Sequence, residues 1–130
     1  MSMDEFTIHI PRERPFSAVA DLVVGGIAAR HDVTLDILDD LQLALDSLLE
    51  HDDADEGEVS IVLRVAGDTI EATVGPITRK TAAALEEEPG DGLGLRRLLE
   101  TTMDSVTVSE REGGSWVELR KGYALAVTEK

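Results

Sequence analysis

Cysteine is absent from the 130-residue chain, which excludes disulfides, thiolate zinc sites and cysteine nucleophiles together. Aromatic residues make up only 3%, with Trp116 the one tryptophan and Tyr123 the one tyrosine. No apolar run approaches the roughly 20 residues that a spanning helix needs. Met1 to Phe6 lacks the basic start and apolar stretch of a signal peptide. Basic residues are scarce too: 12 Lys and Arg stand against 27 Asp and Glu, a net charge of −15. Nucleic acid and anionic lipid surfaces both bind through clustered Lys and Arg. The pairs Arg12 and Arg14, Arg79 and Lys80, Arg96 and Arg97, and Arg120 and Lys121 form no long stripe. Neither nucleic acid nor a membrane is therefore an expected partner. The expected address is the cytoplasm, and the acidic surface suits solubility or a partner with a basic face.

What is present is a globular composition, 42% hydrophobic and 30% charged, enough for one cored domain over residues 1–130. Phe6, Ile8 and Ile10 alternate as a short strand ended by Pro11. A helix is predicted from Ser17 to Ala29, with Val19, Leu22, Val23 and Ile27 as its core stripe and Gly25-Gly26 interrupting it. A second helix from Leu35 to His51 buries Leu38, Leu41, Ala44, Leu45, Leu48 and Leu49. Val59 to Val65 and Ile70 to Val74 alternate about Gly67-Asp68 as a hairpin, stopped at Gly75-Pro76. Thr78 to Glu88 has helix composition with a weak apolar stripe. The turn Pro89 to Gly92 leads into a helix from Leu93 to Met103. Val106 and Val108 open a second hairpin, turned at Gly113-Gly114 and returning over Ser115 to Lys121. Two hairpins with separate helices predict a two-layer α/β (α+β) sandwich, a mixed, mostly antiparallel sheet with helices on one face. The tail 123–130 is an added edge strand or a partner-binding segment.

Two segments carry a resemblance. One is Asp40-Leu41-Gln42-Leu43-Ala44-Leu45-Asp46-Ser47-Leu48-Leu49-Glu50-His51; the other is Gly90-Asp91-Gly92-Leu93-Gly94-Leu95-Arg96-Arg97-Leu98-Leu99, continuing to Met103-Asp104-Ser105-Val106. In this order and at this separation they resemble the anti-sigma regulatory factor family, small serine/threonine kinases of the GHKL (histidine-kinase-like ATPase) fold. The likeness runs from the strand at Phe6 to the hairpin ending near Lys121.

The resemblance implies an ATP site. The family's long helix carries Glu-x-x-x-Asn, the Glu for water and the Asn for Mg²⁺, and aligning Leu43-Ala44-Leu45 puts Ser47 and His51 at those positions. Ser47 has no charge, and Mg²⁺ prefers hard oxygen ligands to His51. A one-residue slip would offer Asp46 and Glu50 as a metal pair, but it would rotate the helix by about 100° and carry the leucines off the core. In the family's Asp-x-Gly-x-Gly motif, the adenine-reading Asp falls on Pro76 and a glycine on Thr78. The glycines Gly90, Gly92 and Gly94 make either a phosphate-cradling turn or a tight cap for the next helix. Arg96 and Arg97 are solvated helix residues or phosphate contacts. No cofactor is expected, Mg-ATP being at most weakly held. The implied function is an anti-sigma-like binding module whose ATP site has degenerated. By resemblance its partners are a sigma factor or an anti-anti-sigma protein, with a homodimer as a further form. The competing function is an active kinase acting on a serine of the anti-anti-sigma protein.

Elsewhere the sequence offers less. His51 to Glu58 lacks the spacing of a calcium loop and reads as a solvated charged loop. His9 and His31 are a strand and a helix-end histidine. Trp116 alternates with Val117, so it either faces away from the core as an anchor for a partner or packs in a curled sheet.

Overall fold

Val59, Ile61, Leu63 and Val65 occupy alternate positions, and a strand turns alternate side chains to one face. All four are buried in strand β2 (Glu58–Val65) of the computed structural model. The structure describes residues 4–11, 16–30, 33–52, 57–66, 68–86, 94–111 and 114–122, with only the backbone at 16–20 and 28. The remaining elements are β1 (Asp4–Pro11), α1 (Phe16–Arg30), α2 (Leu35–His51), β3 (Thr69–Ile77), α3 (Arg79–Glu86), α4 (Leu95–Thr102), β4 (Ser105–Arg111) and β5 (Gly114–Gly122). Five strands form one sheet in the order β1-β2-β3-β5-β4.

The expected sheet was mixed and mostly antiparallel; every pairing among the described residues is antiparallel. Two helices, out and back, separate β1 from β2, so Glu58 opens β2 opposite Pro11, where β1 ends. Strands β3 and β4 do run the same way, but β5 lies between them and opposes both.

The registers stack apolar rows on one face. Phe6, Leu63, Ala72, Leu119 and Val106 form one row, and Ile8, Ile61, Val74, Val117 and Val108 the next. Against these rows sit Leu41, Ala44, Leu45, Leu48 and Leu49 of α2, Leu85 of α3 and Leu99 of α4, each 0–1% exposed. Each such leucine withdrawn from water stabilises the fold by about 1.5–3 kcal/mol. The other face of the sheet carries Glu5, Arg64, Glu71 and Arg120 in one row. Arg64 reaches Glu71 at 3.1 Å and Glu5 at 3.4 Å.

Two further expectations change. Leu22 is 77% exposed and Val24 is buried in its stead, while Ile27 is buried and Val23 packs against the core as expected; the side chain of Val19 lies outside the described residues. Strand β3 does not stop at Gly75-Pro76. Pairing resumes at Ile77 opposite Ser115 after a register shift, and Pro76, with no N–H to offer, falls inside the shift where no ladder bond is needed. Gly75 is required there because a Cβ would stand 2.4 Å from Trp116 Cδ2. Trp116 lies on the face opposite Val117, half-buried, with the Arg111 guanidinium 5.4 Å from its ring centroid. It faces away from the helices. No helix among the described residues is long and apolar enough to cross a membrane. His31 and the tail 123–130 lie outside the described residues.

Candidate functional site

Four of the positions singled out in the sequence lie on α2. Burial of Leu41, Ala44, Leu45, Leu48 and Leu49 sets the rotation of the helix and leaves Ser47 and His51, one turn apart, half-buried. Glu50 is exposed and Asp46 is half-buried, its carboxyl pushed up first by burial. Among the described residues no three His, Asp or Glu side chains gather closely enough to hold a metal ion.

The far end of α2 holds a polar network that the sequence did not announce. Asp52 caps the helix, its N–H donating to Leu48 O at 2.9 Å, and it is only 1% exposed. The expected solvated loop therefore begins with a buried acid. Asp52 Oδ1 accepts from the Thr78 N–H at 2.8 Å and from the Thr81 hydroxyl at 2.9 Å. Thr78 Oγ1 accepts from the Thr81 N–H at 3.2 Å and donates to Thr81 Oγ1 at 3.0 Å. The single hydroxyl proton of Thr81 goes to Asp52, so its oxygen serves as acceptor for its other neighbours. One of these is His51 Nδ1 at 3.4 Å. Counting protons makes His51 Nδ1 the donor in this contact. The network ties the end of α2 to the start of α3. Its one sequence signal is the Thr78-x-x-Thr81 spacing, that of an N-cap and the amide it receives.

Pro76 is exposed, two residues before the Thr78 amide that Asp52 holds. Gly94 precedes α4 with φ −66° and makes no side-chain cap bond. A Cβ there would meet nothing within 4 Å, so neither crowding nor backbone conformation explains that glycine. Gly90 and Gly92 lie outside the described residues. Arg96 is not simply solvated: it donates to Glu100 Oε2 and to Leu85 O, both at 2.9 Å, joining α4 to the end of α3. Arg97 is exposed.

The structure thus brings His51 together with Asp52, Thr78 and Thr81, on a fold whose element order matches the reading of the chain. No family model matches the sequence. Serine-protein kinase RsbW of Bacillus velezensis is 29% identical to it over 134 aligned positions, covering 86% of this chain and 82% of the relative. The chain is thus similar to a serine-protein kinase along most of its length. Coverage of that extent on both sides means the likeness to this kinase takes in helices and sheet alike, and does not rest on one motif.

Proposed function

We propose that this protein is an anti-sigma-type regulatory binding module of the GHKL fold whose ATP site has degenerated, working in the cytoplasm by partner switching. A sigma factor or an anti-anti-sigma protein is its partner, and it pairs with a second copy of itself. What supports this most directly is the engagement of the α2 terminus. His51 stands where the family's metal-anchoring amide belongs, and its Nδ1 is turned to Thr81 within a network closed by Asp52. The donor set does not suit Mg-ATP. Pro76 has no side-chain acceptor for an adenine amino group, Ser47 has no charge to orient water, and imidazole is a poor ligand for a hard cation.

Calorimetric titration with Mg-ATP tests the degenerate site. No heat of binding is expected, while magnesium-dependent binding in the micromolar range would overturn the proposal. The relative's description as a serine-protein kinase favours a second reading, an active kinase for a serine of the anti-anti-sigma protein. Incubation with radiolabelled ATP and that protein separates the two: transfer of label establishes the kinase, and stable complex formation without label establishes the binding module.

A further inference from the structure

At the seam of α1 and α2 the helical layer has a surface that plays no part in the ATP-site reading. An open groove of about 570 Å³ runs there, lined by Asp21, Leu22, Gly25 and Gly26 of α1 and Gln42 of α2. Gln42 Nε2 donates to the Asp21 carbonyl at 2.9 Å and fixes the two walls at this level. The fold itself does not require the two glycines. Neither has a positive φ. A Cβ on Gly26 would meet nothing within 4 Å, and one on Gly25 would meet only Gln42 Nε2, at an ordinary 3.5 Å. Both weaken the helix relative to alanine. What they provide is a bare stretch of backbone that another chain can approach closely.

Apolar and charged groups around the groove define what that chain is like. Leu22, in the groove wall, is 77% exposed. Leu35, two turns before Gln42 on the same face of α2, is 73% exposed. Large apolar side chains left in water beside a groove mark a surface that a partner covers. Asp21 and Asp46 each bury Oδ1, and neither oxygen meets an N–H or hydroxyl donor among the described residues. Buried polar atoms in folded proteins are nearly always hydrogen-bonded, so these carboxyls have room for donors brought from outside. Asp39 and Asp46 stand one turn to either side of Gln42, and Asp39 is exposed, as is Glu50 one turn further on. Arg30, the last residue of α1, is the only Lys or Arg in either helix.

We propose that the α1–α2 groove is the docking site for a basic, amphipathic helix of a partner protein. The apolar face of that helix packs on Leu22, Leu35 and the bare glycines, and its Lys or Arg side chains reach the carboxyls of Asp21, Asp39 and Asp46. A helix suits the place because two packed helices present a furrow between their ridges. An extended segment would need an open strand edge to pair with, and α1 and α2 offer none. A basic partner suits it because the charge along the groove is of one sign. A second copy of this chain, at −15, would bring more of that sign. The site presupposes the binding-module reading and deepens it, naming the surface that binds and the chemistry it accepts.

The probe is a labelled synthetic helical peptide with leucine along one face and lysine on both flanks. A scrambled peptide of equal composition and charge, without the apolar face, is its control. Both are titrated into the full-length protein at about 0.15 M salt, where distant charges are screened. The helical peptide is expected to bind in the micromolar range, with amide shift changes centred on residues 21–30 and 35–46. Leu22→Ser, a change at an exposed side chain, is expected to weaken it by about tenfold or more. Gly26→Gln, which fills the bare backbone, is expected to weaken it similarly while raising the thermal midpoint. Absence of binding, or shift changes centred on the sheet, overturns the proposal. Equal affinity for the two peptides, or for wild type and Leu22→Ser, means attraction by net charge alone and overturns it too. Sedimentation without peptide covers the remaining occupant: a self-associated form that Leu22→Ser abolishes puts a second copy in the groove and overturns the proposal. The binding-module reading fails separately, through magnesium-dependent ATP binding or transfer of label, and neither result alters the peptide contact.

Discussion

Replacing Asp52 by alanine leaves the Thr78 amide and the Thr81 hydroxyl without the acceptor they share. Buried donors stranded in this way cost about 1–3 kcal/mol each. Asp52→Ala is therefore expected to lower unfolding free energy by about 2–4 kcal/mol in urea titrations, and Asp52→Asn, which keeps an acceptor oxygen, by less than half of that. A loss under about 0.5 kcal/mol for the alanine variant would mean that the network does not hold α2 to α3. Gly75 offers a second residue-level test. Gly75→Ala drives a methyl into the Trp116 ring and is expected to cost about 1–3 kcal/mol through overpacking. In a Trp116→Ala background most of that cost should vanish, and this coupling is read by a double-mutant cycle. Trp116 is the only tryptophan, so its emission reports the displaced ring directly. Neither contact was legible beforehand. Asp52 sits in a run of acids whose composition reads as solvated, and nothing local marks the one that the fold buries.

At the level of elements, α2 was the most legible part of the chain. Its leucines recur at helical spacing, and the observed span, Leu35–His51, coincides with the predicted one. Such a stripe has a strong consequence when cut: Leu45→Ala, at a side chain with no exposure, is expected to destabilise by about 2–5 kcal/mol. Leu22→Ser on α1 serves as the control. Its side chain is 77% exposed, and its substitution is expected to stay within about 0.5 kcal/mol. Chemical denaturation of the two variants measures both. The facing of helix α1 was half legible: Val23 and Ile27 turn inward as expected, but its apolar residues nearly encircle it, so periodicity could not choose between Leu22 and Val24. The choice was made by its neighbours, with Val24 reaching the core and Leu22 left outside. Strand β3 was cut short in the sequence reading for a related reason. Gly75-Pro76 is a breaker locally, but β5 resumes pairing with Ile77 beyond it.

Across the whole molecule, a net charge of −15 means that folding gathers like charges. Salt screens them, with a Debye length of about 10 Å at 0.1 M. The thermal midpoint is accordingly expected to rise between low salt and about 0.5 M sodium chloride. A midpoint that falls would show that ion pairs such as Arg64–Glu71 and Lys121–Asp40 outweigh the repulsion. The same charge predicts that capture of a basic partner slows as salt is added, whereas the apolar share of the interface is little affected. The two hairpins and the layered α+β arrangement followed from alternation and turn chemistry.

Periodicity and composition depend on neighbours along the chain, and they were enough to place the strands, the leucine stripe of α2 and the acidic surface. Which acid is buried, which face α1 presents, and which glycine makes room for an indole depend on groups far apart in sequence. Asp52 and Thr78 are separated by a whole hairpin, Asp21 and Gln42 by an interhelical turn, Gly75 and Trp116 by two helices and a strand. Desolvation and hydrogen bonding act through space over a few ångströms, so those roles came into being only when packing brought the partners together.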